Sequence, residues 1–258
     1  MKKRRILWQS SQAVQRFPDY VKAILRHGEK ILGPDFQIEV RGVDRGTPDT
    51  QFLAYDFLNN FQVFNSVRKA EKDGLDAAAI GCFLDPVLNE LREVMEIPVL
   101  SLGEAGMLTA CMLGKRFSVI TYVPQLKNKR FDELIHQYGL TQRSVEIISF
   151  NLPFVELDKG FKDPSVAIEK FTTASKEAIA KGAEVLIPGC GCLNLILAEN
   201  GINQIEGAAV VDVTGALMKM TEMMIVLKEV SGTSVSRRGF NEAPPREDIE
   251  RVIKIYQQ

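Results

Sequence analysis

Short runs rich in Ala, Val, Ile and Leu alternate with helical stretches along almost the whole chain, and this alternation restricts the fold more than any other feature. The runs at residues 77–82, 98–102, 117–123, 184–189 and 208–213 show little polar alternation. Strands of that kind are covered on both faces, as in parallel sheets, and the helices between them supply the crossovers. Residues 6–8 read as a short first strand, 36–40 as a strand of period two, and 144–150 as a further strand. Helices are predicted over 18–32, 53–72, 86–95, 105–113, 131–138, 165–181, 193–200 and 215–230. Residues 42–50 are loop-like, with Gly, Asp and Pro. Residues 231–245 are irregular. Pro245-Arg-Glu-Asp then opens a last amphipathic helix, with proline and acids where a helix start favours them.

Within this alternation one passage occurs twice. Asp73-Gly-Leu-Asp-Ala-Ala-Ala-Ile-Gly-Cys82 is similar to Lys181-Gly-Ala-Glu-Val-Leu-Ile-Pro-Gly-Cys190. In each, a helix ends near a Gly, an apolar strand follows, and the strand ends in Gly-Cys. The chain therefore reads as an α/β protein of two similar lobes with mainly parallel sheets. Their strand ends face one cleft, where open α/β sheets bind ligands.

The 258 residues suffice for one large domain or two lobes with a real core. Net charge is -1 with Lys and Arg dispersed, so no basic stripe points to nucleic acid. The start Met1-Lys-Lys-Arg-Arg5 precedes only Ile6-Leu7-Trp8, too short for a signal peptide's apolar region, and no run reaches membrane-spanning length. The expectation is a soluble cytoplasmic protein with reduced cysteines.

Cys82 and Cys190 each follow a Gly at a strand end and stand close before a helix, which lowers a thiol's pKa. Cys111, on an apolar helix, reads as a small buried hydrophobe, and Cys192 as packed against its helix. Two histidines, His27 and His136, in unrelated helical contexts leave no metal set, and no glycine-rich loop follows the first strand, so neither metal nor dinucleotide is expected. Two opposed thiols suit inversion of a carbon centre: one removes a proton and the other returns one. The carbanion so formed needs donors at its carbonyl oxygens. Candidates are Ser10 and Ser11, with their neighbour Gln9, after the first strand; Thr121 and Tyr122 at another strand end; and the backbone after each cysteine, at Phe83 and Gly191. Turn or N-cap chemistry explains the serines equally well. Glu104 reads as a cleft contact or a helix-start carboxylate.

These residues sit in motifs with a family likeness. Gly81-Cys-Phe-Leu-Asp-Pro86, Leu91-Arg-Glu93, Ile97-Pro-Val99, Gly103-Glu-Ala105 and Gly114-Lys-Arg-Phe-Ser-Val-Ile-Thr121 resemble the aspartate/glutamate/hydantoin racemase superfamily, in its hydantoin and allantoin racemase branch. Leu186-Ile-Pro-Gly-Cys-Gly191 resembles the second cysteine motif, and Thr233-Ser234 with Gly239-Phe240 and Pro244 the C-terminal signature. The resemblance implies two pseudo-symmetric flavodoxin-like lobes, residues 1–104 plus 215–258 and residues 105–214, with an inter-lobe active site. It implies a cofactor-independent racemase or epimerase of an amino acid, hydantoin or related ureide, with Cys82 and Cys190 as the proton-transfer pair, in a homo-oligomer. The first-strand loop departs from the family's Asn-Pro-Asn-Thr/Ser: Trp8 stands at the Pro and Gln9 at the second Asn. Leu84 and Val87 replace small residues, and Gly191-Cys192-Leu193-Asn194 replaces the usual continuation. Alternatives are a maleate-isomerase-like enzyme with a nucleophilic cysteine, an arylmalonate-decarboxylase-like enzyme, or a binding protein without turnover.

Overall fold

A computed structural model describes residues 3–47, 52–124 and 128–256. Residues 48–50 of the expected loop lie outside the described residues, as do the first two of the basic start. The first half alternates β1 (Arg4–Gln9), α1 (Pro18–Ile31), β2 (Phe36–Arg41), α2 (Leu53–Lys72), β3 (Ala77–Ile80), α3 (Leu88–Val94), β4 (Val99–Ser101) and α4 (Leu102–Leu113). Its four strands form a wholly parallel sheet in the order β2-β1-β3-β4. The chain continues through β5 (Phe117–Thr121), α5 (Lys129–Gln137), β6 (Ile148–Ser149), α6 (Phe154–Asp158), α7 (Ser165–Ala180), β7 (Val185–Pro188) and α8 (Gly191–Glu199). It ends with β8 (Gln204–Ile205), β9 (Ala208–Val210), α9 (Val213–Ser231) and α10 (Arg246–Tyr256). The second sheet runs β6-β5-β7-β9-β8, parallel except for the β8–β9 pair. The two-lobe α/β architecture is thus present. Among the described residues no helix is long and apolar enough to cross a membrane.

Strand periodicity divides the core. Successive side chains of a strand point to opposite faces. Ile6, Trp8, Ala77 and Ala79 therefore join an apolar core that also holds Phe117, Ile120, Leu186 and Ile187 of the second sheet. Leu7, Ala78 and Ile80 face the other way, against Val63 and Val67 of α2 and Leu88 and Leu91 of α3. One apolar core thus spans both sheets. α9 returns from the second sheet to pack on α1, α4, β3 and β4, while α4 touches both β4 and β7. The expected lobe boundaries after residues 104 and 214 fall inside α4 and α9.

Several elements differ from the sequence reading. The helices expected at 105, 193 and 215 begin at Leu102, Gly191 and Val213, because their glycines sit inside the first turn. α3 begins at Leu88, since Asp85 and Val87 take left-handed backbone angles (φ 47° and 49°) in the loop before it. The β8–β9 hairpin was not anticipated; its turn, Glu206-Gly207, has positive φ at both residues, as a type I′ turn requires. The strand expected over 144–150 shortens to two residues, with Ser144 in an isolated bridge to Phe117.

The register places the first Gly-Cys. Trp8 pairs with Ala79 and Gln9 with Ile80, and the ladder extends one step, the Gly81 N–H donating to Gln9 O at 2.8 Å. The Trp8 indole then covers Gly81 so closely that a Cβ there would lie 2.4 Å from Nε1 and Cε2. Only glycine fits. Gly81→Ala is therefore expected to lower unfolding free energy by about 1–3 kcal/mol, the usual range for overpacking, in a urea titration. Wild-type stability in that variant would contradict the packing described.

Candidate active site

Parallel strands carry all their C-terminal ends to one side of a sheet, and here the two sheets turn those ends toward each other. Gly81-Cys82 follows β3 and Gly189-Cys190 follows β7. In the second sheet the Gly189 N–H donates to Ile120 O at 2.8 Å, repeating the extension seen at Gly81. The two ends nearly touch. A Cβ on Gly191 would lie 3.6 Å from Gly81 O and 3.4 Å from the Tyr20 hydroxyl, in ordinary contact with both, so little space separates the two ends. Between the ends lies a small cavity of about 80 Å³ that opens to solvent.

Cys82, Cys190, Ser10, Ser11, Phe83, Tyr122 and Gly191 all line this cavity. Gln9 and Thr121 do not, which corrects the sequence reading. Gln9 is fully buried behind the loop, its Nε2 donating to Ser10 O (2.9 Å) and its Oε1 accepting from Ser66 Oγ (2.6 Å). Thr121 is also fully buried and accepts from the Val123 N–H at 3.4 Å, a local turn contact. Ser10 Oγ accepts from the Gln12 N–H (3.1 Å), so it serves the turn as well as the wall. Ser11 Oγ is buried with no hydrogen-bond partner among the described residues, yet it lies near enough to Cys82 to favour the thiolate. Glu104 is taken by Arg92 in a two-pronged ion pair of 2.9 and 2.5 Å and stays off the cavity.

Sequence reasoning missed Tyr20, Arg130, Phe131 and Phe154 on the walls. Tyr20 reads as an ordinary member of α1's buried face, and Phe154 belongs to the short, unanticipated α6. Arg130 of α5 is bound to Asp56 of α2, so the cationic side chain on the wall arrives with its counter-ion. The aromatic pairs Phe83–Phe131 (centroids 5.8 Å apart) and Tyr122–Phe154 (6.0 Å) make much of the remaining surface.

Both thiols are partly exposed, but only into this sheltered space. Burial pushes Cys82 up to about 12; the charge of Asp56 adds to the rise, while the Leu84 N–H and the Ser11 hydroxyl oppose it. Burial pushes Cys190 up to about 11, against the N–H groups of Leu193 and Cys192. The expectation of thiolates near neutral pH is thus corrected. Cys82 has no helix start beside it, because α3 begins six residues on. Cys190 does cap α8, but enclosure outweighs the two backbone donors. Cys192 is both buried in packing and on the cavity wall, and burial with the neighbouring Cys190 raises it well above an ordinary thiol. Cys111, half-buried on α4, lies off the cavity.

The Cys82 loop is clamped from behind. The Asp85 carboxylate accepts from the N–H groups of Gly103 (2.7 Å) and Glu104 (2.8 Å), at the start of α4, and from the Tyr138 hydroxyl (2.7 Å). Burial nonetheless pushes Asp85 up to about 6. Gly103 has to be glycine here, since a Cβ would lie 2.2 Å from Phe83 O.

The family model for Asp/Glu/Hydantoin racemase matches residues 18–221. The chain belongs to the Asp/Glu/hydantoin racemase family. It is 28% identical over 207 residues to the hydantoin racemase of Pseudomonas sp. (strain NS671), covering 80% of this chain and 81% of that protein. Its fold is similar to the allantoin racemases of Pseudomonas fluorescens (TM-score 0.81, 24% identity, 93% of this chain and 97% of that one) and Klebsiella pneumoniae (0.79, 24%, 94% of each). At the site, Trp8 covers Gly81, Leu84 lines the cavity and Cys192 lines it beside Cys190. Among the described residues no three His, Cys, Asp or Glu side chains gather as a metal ion would need.

Raised thiol pKa values mean that thiolate appears only in alkali. Alkylation by iodoacetamide, followed by peptide mass spectrometry against pH, is expected to rise for both thiols only above about pH 10, Cys190 ahead of Cys82. A thiolate plateau at pH 7 would contradict the enclosure described. The linkage has the same sign. Folded thiols hold their protons more tightly than unfolded ones, so this contribution to stability is full below the ordinary thiol pKa and lost as pH rises through 11 and 12.

Proposed function

We propose that this protein is a cofactor-independent racemase or epimerase of a carbon acid, an amino acid, hydantoin or related ureide, that works by proton transfer between Cys82 and Cys190. The observation that carries this reading is the delivery of two thiols, from matching strand ends of two lobes, to one cavity. A carbon held between them presents one face to each sulfur. The thiolate form of one cysteine takes the α-proton; the electron pair passes into the adjacent carbonyl; the other thiol returns a proton to the opposite face. The sulfurs then have exchanged states, and the reverse reaction uses the same groups in swapped roles. Enclosure makes each thiolate a strong base, which suits a weak carbon acid, and the Ser11 hydroxyl stands near Cys82 as a donor. The division into a lobe of residues 1–104 plus 215–258 and a lobe of 105–214 belongs to this reading. So does a homo-oligomer, which the exposed apolar stripe Leu53, Phe57 and Phe61 on α2 favours.

Cys82→Ser and Cys190→Ser are each expected to lower racemisation on the order of 10²–10⁴-fold, followed by polarimetry on enantiopure hydantoins and amino acids. In D₂O the wild-type product should carry deuterium at the inverted carbon. Full turnover in both single variants, or inversion without solvent deuterium, would overturn the proton-transfer reading; a covalent Cys82 adduct would replace it with nucleophilic addition.

A further inference from the structure

Tyr20 is 3% exposed, yet it lies on the cavity wall at the place where the two lobes come closest. Its hydroxyl is 3.4 Å from the Cβ position of Gly191, a point that is itself 3.6 Å from Gly81 O. Charges placed on Cys190, Cys192 or Cys82 would each act on this phenol, and all three cysteines line the cavity that Tyr20 lines. Burial together with those sulfurs holds its pKa well above the usual phenol value, so the hydroxyl keeps its proton and remains a donor.

A second, independent observation concerns Trp8. Its Nε1 is fully buried and has no hydrogen-bond partner among the described residues. The same N–H lies close enough to the Tyr20 oxygen to favour negative charge there. With the Trp8 N–H favouring charge on its oxygen, the Tyr20 O–H can turn its proton toward the cavity that Tyr20 lines. A buried indole N–H without a good partner is costly, and a bound acceptor that draws on the Tyr20 proton strengthens the Trp8 contact as well.

We propose that Tyr20 is a catalytic residue of this site: its hydroxyl, backed by the Trp8 N–H, donates to the carbonyl oxygen of the bound carbon acid as the carbon is deprotonated between Cys82 and Cys190. The inference rests on the racemase reading above and adds the group that stabilises its intermediate. The balance is simple. The α-proton goes to one sulfur, its electron pair forms the C–C double bond of the enolate, and the carbonyl electrons settle on oxygen. Tyr20 strengthens a hydrogen bond to that oxygen without giving up its proton. Reprotonation by the opposite thiol returns the electron pair to carbon. Substrates are then restricted to compounds with a carbonyl or carboxyl next to the inverted carbon.

The test uses the full-length protein and, as probe, enantiopure 5-benzylhydantoin in D₂O, with Tyr20→Phe and Cys190→Ser compared with wild type. A donor that acts only in the transition state costs kcat about 10²-fold on removal, with KM nearly unchanged. Tyr20→Phe is expected to show that split, equally in both directions, with the alkylation profiles of Cys82 and Cys190 unaltered. Incorporation of 3-fluorotyrosine at position 20, which keeps the hydroxyl, should restore the rate. Wild-type kcat in Tyr20→Phe alongside an inactive Cys190→Ser overturns the Tyr20 role and leaves the racemase reading standing. A loss in Tyr20→Phe that 3-fluorotyrosine does not restore, or one confined to KM, also overturns it. Absence of α-deuterium in the wild-type reaction defeats the racemase reading, and the Tyr20 role with it.

Discussion

The meeting of two backbones at Gly81 and Gly191 is the contact on which the remaining geometry depends. Each lobe is an ordinary α/β unit, and nothing in either sheet alone brings Cys82 near Cys190. Because Gly81 carries no Cβ, the indole of Trp8 can lie flat on it, and the start of α8 comes into ordinary contact with its carbonyl. The apolar core continues through this meeting, from Trp8 to Leu186 and Ile187, so the lobes share one interior. Van der Waals contact at this density tolerates little change in volume.

The same closeness explains the unusual chemistry of the sulfurs. A thiol at a helix start in open solvent is acidified, and a thiol enclosed by aromatic rings is made more basic. Here enclosure dominates. Phe83, Phe131, Tyr122 and Phe154 remove water from the walls, and the backbone donors at Cys190 recover only part of that loss. Basic thiols and a poorly hydrated carbon acid go together: the cavity that weakens ionisation of the sulfur also strengthens its pull on a proton.

Much of this arrangement was legible in the chain because it rests on local pattern. The apolar runs ending in Gly-Cys placed both strands, and the repeat around Cys82 and Cys190 pointed to two lobes with facing strand ends. What escaped depends on contacts distant in sequence. Gln9 and Thr121 stand at strand ends, as the other wall residues do, but a shift of one residue turns a strand side chain to the opposite face, and both point into packing. Tyr20 carries no motif; only the close approach of Gly191, 171 positions later, makes it part of the wall. Thiol acidity was misjudged for the same reason, since a helix start is visible in sequence and enclosure by a second lobe is not. The Glu206-Gly207 turn did carry a readable signal, a glycine at the position where a tight hairpin needs one.

The two sulfurs sit in unlike surroundings: Cys82 faces Asp56 and Asp85, and Cys190 faces the N–H groups of Leu193 and Cys192. In a two-thiol racemase the small ionised fraction of the free protein is then divided between two singly ionised forms of unequal population, with the Cys190 form in excess. Each form accepts one mirror image of the substrate. Mirror images have equal free energy, so the overall equilibrium constant is one and kcat/KM must be the same in both directions. An asymmetric site can therefore favour one enantiomer in turnover only by binding that enantiomer correspondingly more weakly. Unequal carboxylates around one thiol divide the kinetics between saturation and speed, and they leave the final composition untouched.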